Sequence, residues 1–138
     1  MRSLGESYVA ICGLSSPRLD HADRTLAWIG ESARAVSRIG GDWAGSVTLR
    51  FGVASGDVDV LLFSAGHTPY DVWGRTLVVA RLMAAAASHD SARVDESAYA
   101  LLTDVEGFEA CPPVESDAVG RLANWSRRLS APMAQAAQ

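Results

Sequence analysis

The residues best placed to do chemistry stand in one stretch, Pro69-Tyr70-Asp71-Val72-Trp73-Gly74-Arg75-Thr76-Leu77-Val78-Val79-Ala80-Arg81-Leu82-Met83. A turn signal, a carboxylate, an indole and a helix start follow one another closely there. That grouping suits a loop that presents side chains to a ligand. The apolar run behind it is too long for a strand and rich in alanine, so it predicts a buried helix. Asp71 also has a simpler reading, as the N-cap whose carboxylate accepts the first free N–H groups of that helix. Trp73 reads as core or interface packing. Arg81 interrupts an otherwise apolar helix and needs either an acidic partner or a route to water.

Composition narrows the rest. The 138 residues suffice for one domain and not for two ordinary ones. Apolar residues make up 49% and charged residues 20%, the balance of a chain that folds. A net charge of −4 argues against nucleic acid as the main partner, because phosphate binding needs a basic face. All twelve basic residues are arginine, which excludes a lysine base, a Schiff base and a P-loop lysine. Cys12 and Cys111 are too few for a disulfide framework, and Cys12, in an apolar run, is expected as a buried reduced thiol. His21, His67 and His89 are too widely separated for metal-site spacing. Met1-Arg2 leads straight into polar residues, so no secretory leader is expected. The longest apolar segment, Leu77 to Ala87, is broken by Arg81 and is too short to span a membrane. The expectation is a cytoplasmic chain or a soluble piece of something larger.

These residues must be positioned by an alternation of strands and helices. Ser7 to Leu14 is a continuous apolar run that predicts a strand buried on both faces. Asp20 is expected to cap a helix to about Ile39, with Ala22, Leu26, Ile29, Ala33, Val36 and Ile39 as its core stripe and Gly40-Gly41 as its end. Val47 to Val53 and Val58 to Leu62 both alternate with period two, and the turn residues between them predict a β-hairpin. Ser64 to Pro69 reads as a loop delivering the chain to Asp71. The following helix should reach about Ala87. Arg93-Val94-Asp95 reads as a short strand, and Asp95 as the cap of a helix from Glu96 to about Asp104, with Ala98, Leu101, Leu102 and Val105 inward and Gly107 as the stop. Phe108 to Cys111 predicts an edge strand ended by Pro112-Pro113. Ala123 to Leu129 admits a last strand or a short helix. The order gives an α+β domain with a largely antiparallel sheet over residues 1–130, and a frayed tail over 131–138.

Several motifs taken together resemble a known family. Arg2-Ser3-Leu4-Gly5-Glu6-Ser7-Tyr8-Val9-Ala10-Ile11-Cys12-Gly13-Leu14 is similar to the Lys-Thr-Ile-Gly-Asp-x-Tyr-Met-Ala-x-x-Gly-Leu hairpin of class III adenylate/guanylate cyclase catalytic domains. Asp20-His21-Ala22 resembles the Asp-His-Ala that opens the family's next helix, and Arg50-Phe51-Gly52-Val53-Ala54-Ser55-Gly56-Asp57-Val58 resembles its Arg-x-Gly-Ile-x-x-Gly-x-Val. Tyr70-Asp71-Val72-Trp73-Gly74 then resembles its purine-binding segment. The resemblance implies a ferredoxin-like cyclase fold that lacks the family's first strand and helices, and a truncated, degenerate domain.

It implies chemistry too. The family converts ATP or GTP to a cyclic nucleotide at sites between head-to-tail protomers. Two carboxylates hold two metal ions, Mg or Mn, that activate the 3′-hydroxyl and stabilise the displaced oxygens. An Asn and an Arg on the helix after Trp-Gly steady the ribose and the transition-state charge. By this resemblance Arg2 and Asp71 fall at purine-reading positions and Glu6 at a metal carboxylate, lengthened by one methylene. Glu6 reads otherwise as a solvated turn residue. The Asn position holds Val78 and the Arg position holds Leu82, so no catalytic residue is carried over there. Arg81 stands one residue early, about 100° around a helix. The implied function is a cyclase-homology pseudoenzyme in cyclic-nucleotide signalling that pairs as a homodimer or heterodimer. The alternative is an active adenylate/guanylate cyclase whose missing groups come from a partner chain.

Overall fold

Period two in Arg50 to Val53 does mark a strand, but its partner is not the one the turn residues pointed to. The computed structural model describes residues 2–4, 7–39, 47–62 and 70–129, with 2–4 and 70 given by backbone. Glu6, the helix end at Gly40-Gly41, the loop from Ser64 to Pro69 and the tail after Pro132 lie outside the described residues. In chain order the elements are β1 (Arg2–Leu4), β2 (Ser7–Val9), α1 (His21–Ile39), β3 (Arg50–Val53), β4 (Asp59–Leu62), β5 (Tyr70–Trp73), α2 (Arg75–Ala86), β6 (Ser91–Asp95), α3 (Glu96–Ala100), β7 (Glu109–Ser116) and β8 (Gly120–Arg128). The main sheet has the order β3-β6-β8-β7, with β3 and β6 parallel and the other pairs antiparallel. β1 pairs with β2, and β4 with β5, in separate antiparallel hairpins.

The expected hairpin between β3 and β4 is therefore corrected. Alternation shows which side chains share a face but not which strand lies alongside. A parallel pair needs a long crossover, and β4, β5 and α2 supply it between β3 and β6. Ser7 to Leu14 is also corrected. Only Ser7–Val9 is strand, and Tyr8 is 67% exposed because among the described residues β2 pairs with β1 alone. Cys12, beyond that strand, is half-exposed and not buried.

The core lies on both faces of the main sheet. On one face Leu26 and Ile29 of α1 pack against Val53, Ala92, Val94 and Ala98. Tyr99 stacks on Trp125 there at 4.2 Å and meets Phe108 edge-on at 5.9 Å. The stripe of α1 buries only its first part, and Ile39 stands 85% exposed. On the other face α2 crosses β3 at Gly52, where a β-carbon would overlap the Ala80 carbonyl oxygen and the Ala84 nitrogen. Val79, Met83 and Ala87 are buried on α2 and just beyond it.

Polar contacts fix the ends of these elements. Asp95 caps α3 as expected, accepting the Ala98 N–H at 2.8 Å. The helix stops at Ala100, short of Asp104, so Leu102 and Phe108 pack on the core while Leu101 and Val105 stay exposed. Arg93 donates to Asn124 Oδ1 at 2.6 Å, to the Pro112 carbonyl at 3.1 Å and to the Ala86 carbonyl. A cation at the last turn of α2 is favourable for the helix dipole. β7 is the edge strand expected, but it runs on through Pro112-Pro113 to Ser116. An outer edge needs no inward-facing donor there, and the register shifts between Cys111 and Val114 to absorb the prolines. The last segment is strand, with Trp125 opposite Val94.

Gly52→Ala forces α2 off the sheet and should lower the unfolding free energy by about 1–3 kcal/mol. Urea denaturation checks this, and an unchanged midpoint would mean that the close crossing contributes nothing.

Candidate functional site

The segment from β4 to α2 builds the candidate site. In the β4–β5 ladder Leu61 faces Asp71 and Asp59 faces Trp73, so these four residues share one face of the hairpin. Asp71 is thus a strand residue, and its N-cap reading is corrected: the cap position of α2 is Gly74. The strand carries Asp71 too far before the helix to reach its first turn, and its carboxylate accepts the Val72 N–H at 3.0 Å instead. Gly74 has φ 125°, open to glycine alone at little cost, and any side chain there would approach the Asp59 carboxylate. Thr76 donates its hydroxyl to the Asp57 carbonyl at 2.7 Å, which pins the first turn of α2 to the loop before β4.

Along α2 the side chains at the resemblance-marked positions differ in exposure. Val78 is 39% exposed, Leu82 half-buried, and Arg81 exposed, which gives it the route to water. Leu82 borders an open cavity of about 550 Å³ shared with Glu115, Ser116, Asp117, Gly120 and Arg121 of the β7–β8 turn. Arg75 holds the two sides together, donating to the Val119 carbonyl at 3.0 Å. Arg121 is the one cation among these lining residues, and sequence reasoning missed it. Nothing local marks it, since only the folding of β8 back past β7 brings it beside Leu82. Arg2 belongs to the separate β1–β2 hairpin, opposite Val9. Glu6 lies outside the described residues. Among the described residues no three His, Cys, Asp or Glu side chains converge as metal donors.

A second polar cluster joins α1, β3 and α3. His21 Nδ1 donates to the Arg18 carbonyl at 2.7 Å, and its Nε2 shares a hydrogen bond with the Ser55 hydroxyl at 2.6 Å. Asp95 is 8% exposed, and burial pushes its carboxyl up from the usual 3.8, against backbone donation from Ala98, Ser55 and Ser97. At the surface Asp20 is held below the usual range by its hydrogen bond from Arg24, at 2.7 Å, helped by Arg18.

Sequence comparison decides the family. Residues 1–122 match the family model of the adenylate and guanylate cyclase catalytic domain. The chain belongs to that family. Adenylate cyclases of Mycobacterium tuberculosis and Mycobacterium bovis are 28% identical over 100 residues, which is 72% of this chain but only 23% of theirs. The fold agrees with solved cyclase domains. The guanylate cyclase domain of RhGC from Catenaria anguillulae, in complex with GTP, matches with a TM-score of 0.69 at 17% identity, over 83% of this chain and 63% of that one. The guanylyl cyclase Cya2 matches at 0.70 and 16% identity, over 88% and 66%. A dimeric guanylyl cyclase domain from Blastocladiella emersonii matches at 0.60 and 18% identity, over 83% and 62%. The cyclase fold is thus established, with a mixed sheet carrying helices on both faces. Among the described residues no helix is long and apolar enough to cross a membrane.

Asp95 gives the cyclase domain a titration signature. Its raised pKa means that the folded state binds a proton more tightly than the unfolded one. The stability this contributes is full below 3.8 and is lost as pH rises through the raised value. Asp95→Asn keeps an oxygen for the Ala98 N–H but does not titrate, so that loss should disappear from its stability–pH curve. Parallel curves for the two proteins would contradict the assignment.

Proposed function

We propose that this cyclase-family chain is a degenerate homology module, with little or no turnover alone, that acts in cyclic-nucleotide signalling by pairing with a second cyclase-type chain. The observation that carries this reading is the chemistry of α2. Val78 and Leu82 stand one turn apart on the helix that follows Gly74, and neither has a hydrogen bond or a charge to offer. Where the resemblance implies an Asn and an Arg to steady the reacting phosphates, α2 supplies hydrocarbon. A triphosphate closing on itself needs fixed donors where charge develops, and losing one such donor costs about a hundredfold or more in rate.

The scaffold around those positions supports a pairing role. Leu61 and Trp73, on one face of the β4–β5 hairpin, are 42% and 45% exposed. Exposed apolar side chains sharing a face favour contact with another protein. Asp71 and Arg2 remain as the pair that would read a purine edge. A second reading, an active cyclase completed by its partner, draws on Arg121. A guanidinium beside Leu82 is a cation where the resemblance implies one, though it comes from a different element. In that reading Glu6 would help hold Mg or Mn, and the partner would supply the remaining donors. ATP and GTP are the substrates the family relationship favours.

Incubation of the purified chain with ATP or GTP and Mn²⁺ should form no cyclic nucleotide above the protein-free blank. Turnover that Glu6→Ala abolishes would favour the second reading. Sedimentation velocity tests the pairing surface: the chain should self-associate at micromolar concentration, and Trp73→Asp should shift it toward monomer. An unshifted profile would move the interface elsewhere.

A further inference from the structure

At the end of α2 away from Gly74, three arginines stand on one face of three adjacent strands. The ladders set Arg50 of β3 beside Ser91 of β6, and Ser91 beside Arg128 of β8. Residues in register share a face, and alternation puts Gly52 and Arg93 on that face too. It is the face that α2 crosses. Neighbouring strands lie about 4.8 Å apart, so the Cα atoms of Arg50 and Arg128 stand about 10 Å from each other across Ser91. Two arginine side chains can close on one ligand from that separation.

Among the described residues no carboxylate pairs with Arg50, Arg93 or Arg128, in a chain whose net charge is −4. Arg93 is spent on neutral acceptors, Asn124 and the Pro112 and Ala86 carbonyls. Arg50 meets His89 Nε2 at 2.7 Å, and since a guanidinium only donates, that nitrogen accepts. Asp90, the next residue, turns its carboxylate to the Leu49 N–H at 3.1 Å instead. Ser91 is 3% exposed and gives its hydroxyl to the Ser88 carbonyl, so it forms a floor between the two outer arginines. Arg50 and Arg128 themselves are exposed.

We propose that Arg50 and Arg128 bind a phosphate group over Ser91, with Arg93 adding positive charge nearby. A carboxylate has two oxygens and is filled by one guanidinium fork, whereas a phosphate has oxygens enough for two. A pair of forks closing from opposite sides therefore selects phosphate over carboxylate. The group is free phosphate or a phosphate monoester on a larger molecule, and the arginines meet the same oxygens in either. The site shares no residue with the cleft beside Leu82. Its binding needs no cyclase chemistry and stands or falls apart from the reading above.

The test titrates the full chain with inorganic phosphate, phenyl phosphate and benzoate at constant ionic strength, and follows the arginine Nε–H resonances by NMR. Both phosphates should shift the Arg50 and Arg128 resonances together and saturably, and benzoate at the same concentrations should not. Arg50→Gln and Arg128→Gln should each weaken phosphate binding about tenfold or more. Arg34→Gln, on the exposed surface of α1, should leave it unchanged. Tighter binding of phenyl phosphate would place the group on a larger molecule, and tighter binding of the inorganic ion would make it free phosphate. An equal response to benzoate, a shift that never saturates, or a response of one arginine alone would overturn the proposal. So would undiminished binding by the two variants, whose amide spectra report whether the fold is intact.

Discussion

The close crossing of α2 over β3 at Gly52 is the contact on which the molecule depends. Helix backbone rests there on strand backbone with no side chain between them. That contact fixes the height of α2 above the sheet, and Val79 and Met83 bury against what lies beneath. Arg93 then draws the far end of the helix toward β6 and the kinked part of β7. Thr76 and Arg75 tie its near end to the loop before β4 and to the β7–β8 turn. A helix held at its middle and at both ends is a rigid mount, which is what a site needs if groups on it are to meet a ligand without rearranging.

The turn at Gly74, the cleft beside Leu82 and the strand bearing Asp71 are all formed. Leu82 gives the cleft an apolar wall, and Val78, one turn earlier on α2, has no hydrogen bond to offer. Hydrocarbon at these positions suits packing or contact with another protein and does nothing for developing negative charge. Scaffold and polar groups can therefore vary separately, and here the fold is kept while these two positions of α2 hold hydrocarbon.

Much of this was legible in the sequence because it depends on local pattern. The stripe Ala22, Leu26 and Ile29 located α1, and Asp95 announced its own helix. What failed was long-range. Period two placed β3 and β4 correctly as strands, yet it carries no information on partners, so β3 was paired with its neighbour in sequence instead of β6. Of the two readings of Asp71, the cap rests on the frequency of aspartate before an alanine-rich run, which says nothing of a strand ending there. The ladder with Leu61 shows that the strand persists two residues further, to Trp73. Arg121 was illegible for the same reason as the β3–β6 pair: its neighbour Leu82 is distant in sequence, and only the tertiary fold joins them.

The most direct measurement of the central claim is cyclic nucleotide formed by the chain with saturating ATP or GTP and Mn²⁺, beside the double variant Val78→Asn/Leu82→Arg. If α2 lacks the groups that support the reaction, the parent stays at the blank and the variant is at least as active. Measurable turnover by the parent that the double substitution fails to raise would show that α2 as it stands is sufficient, and would contradict the account.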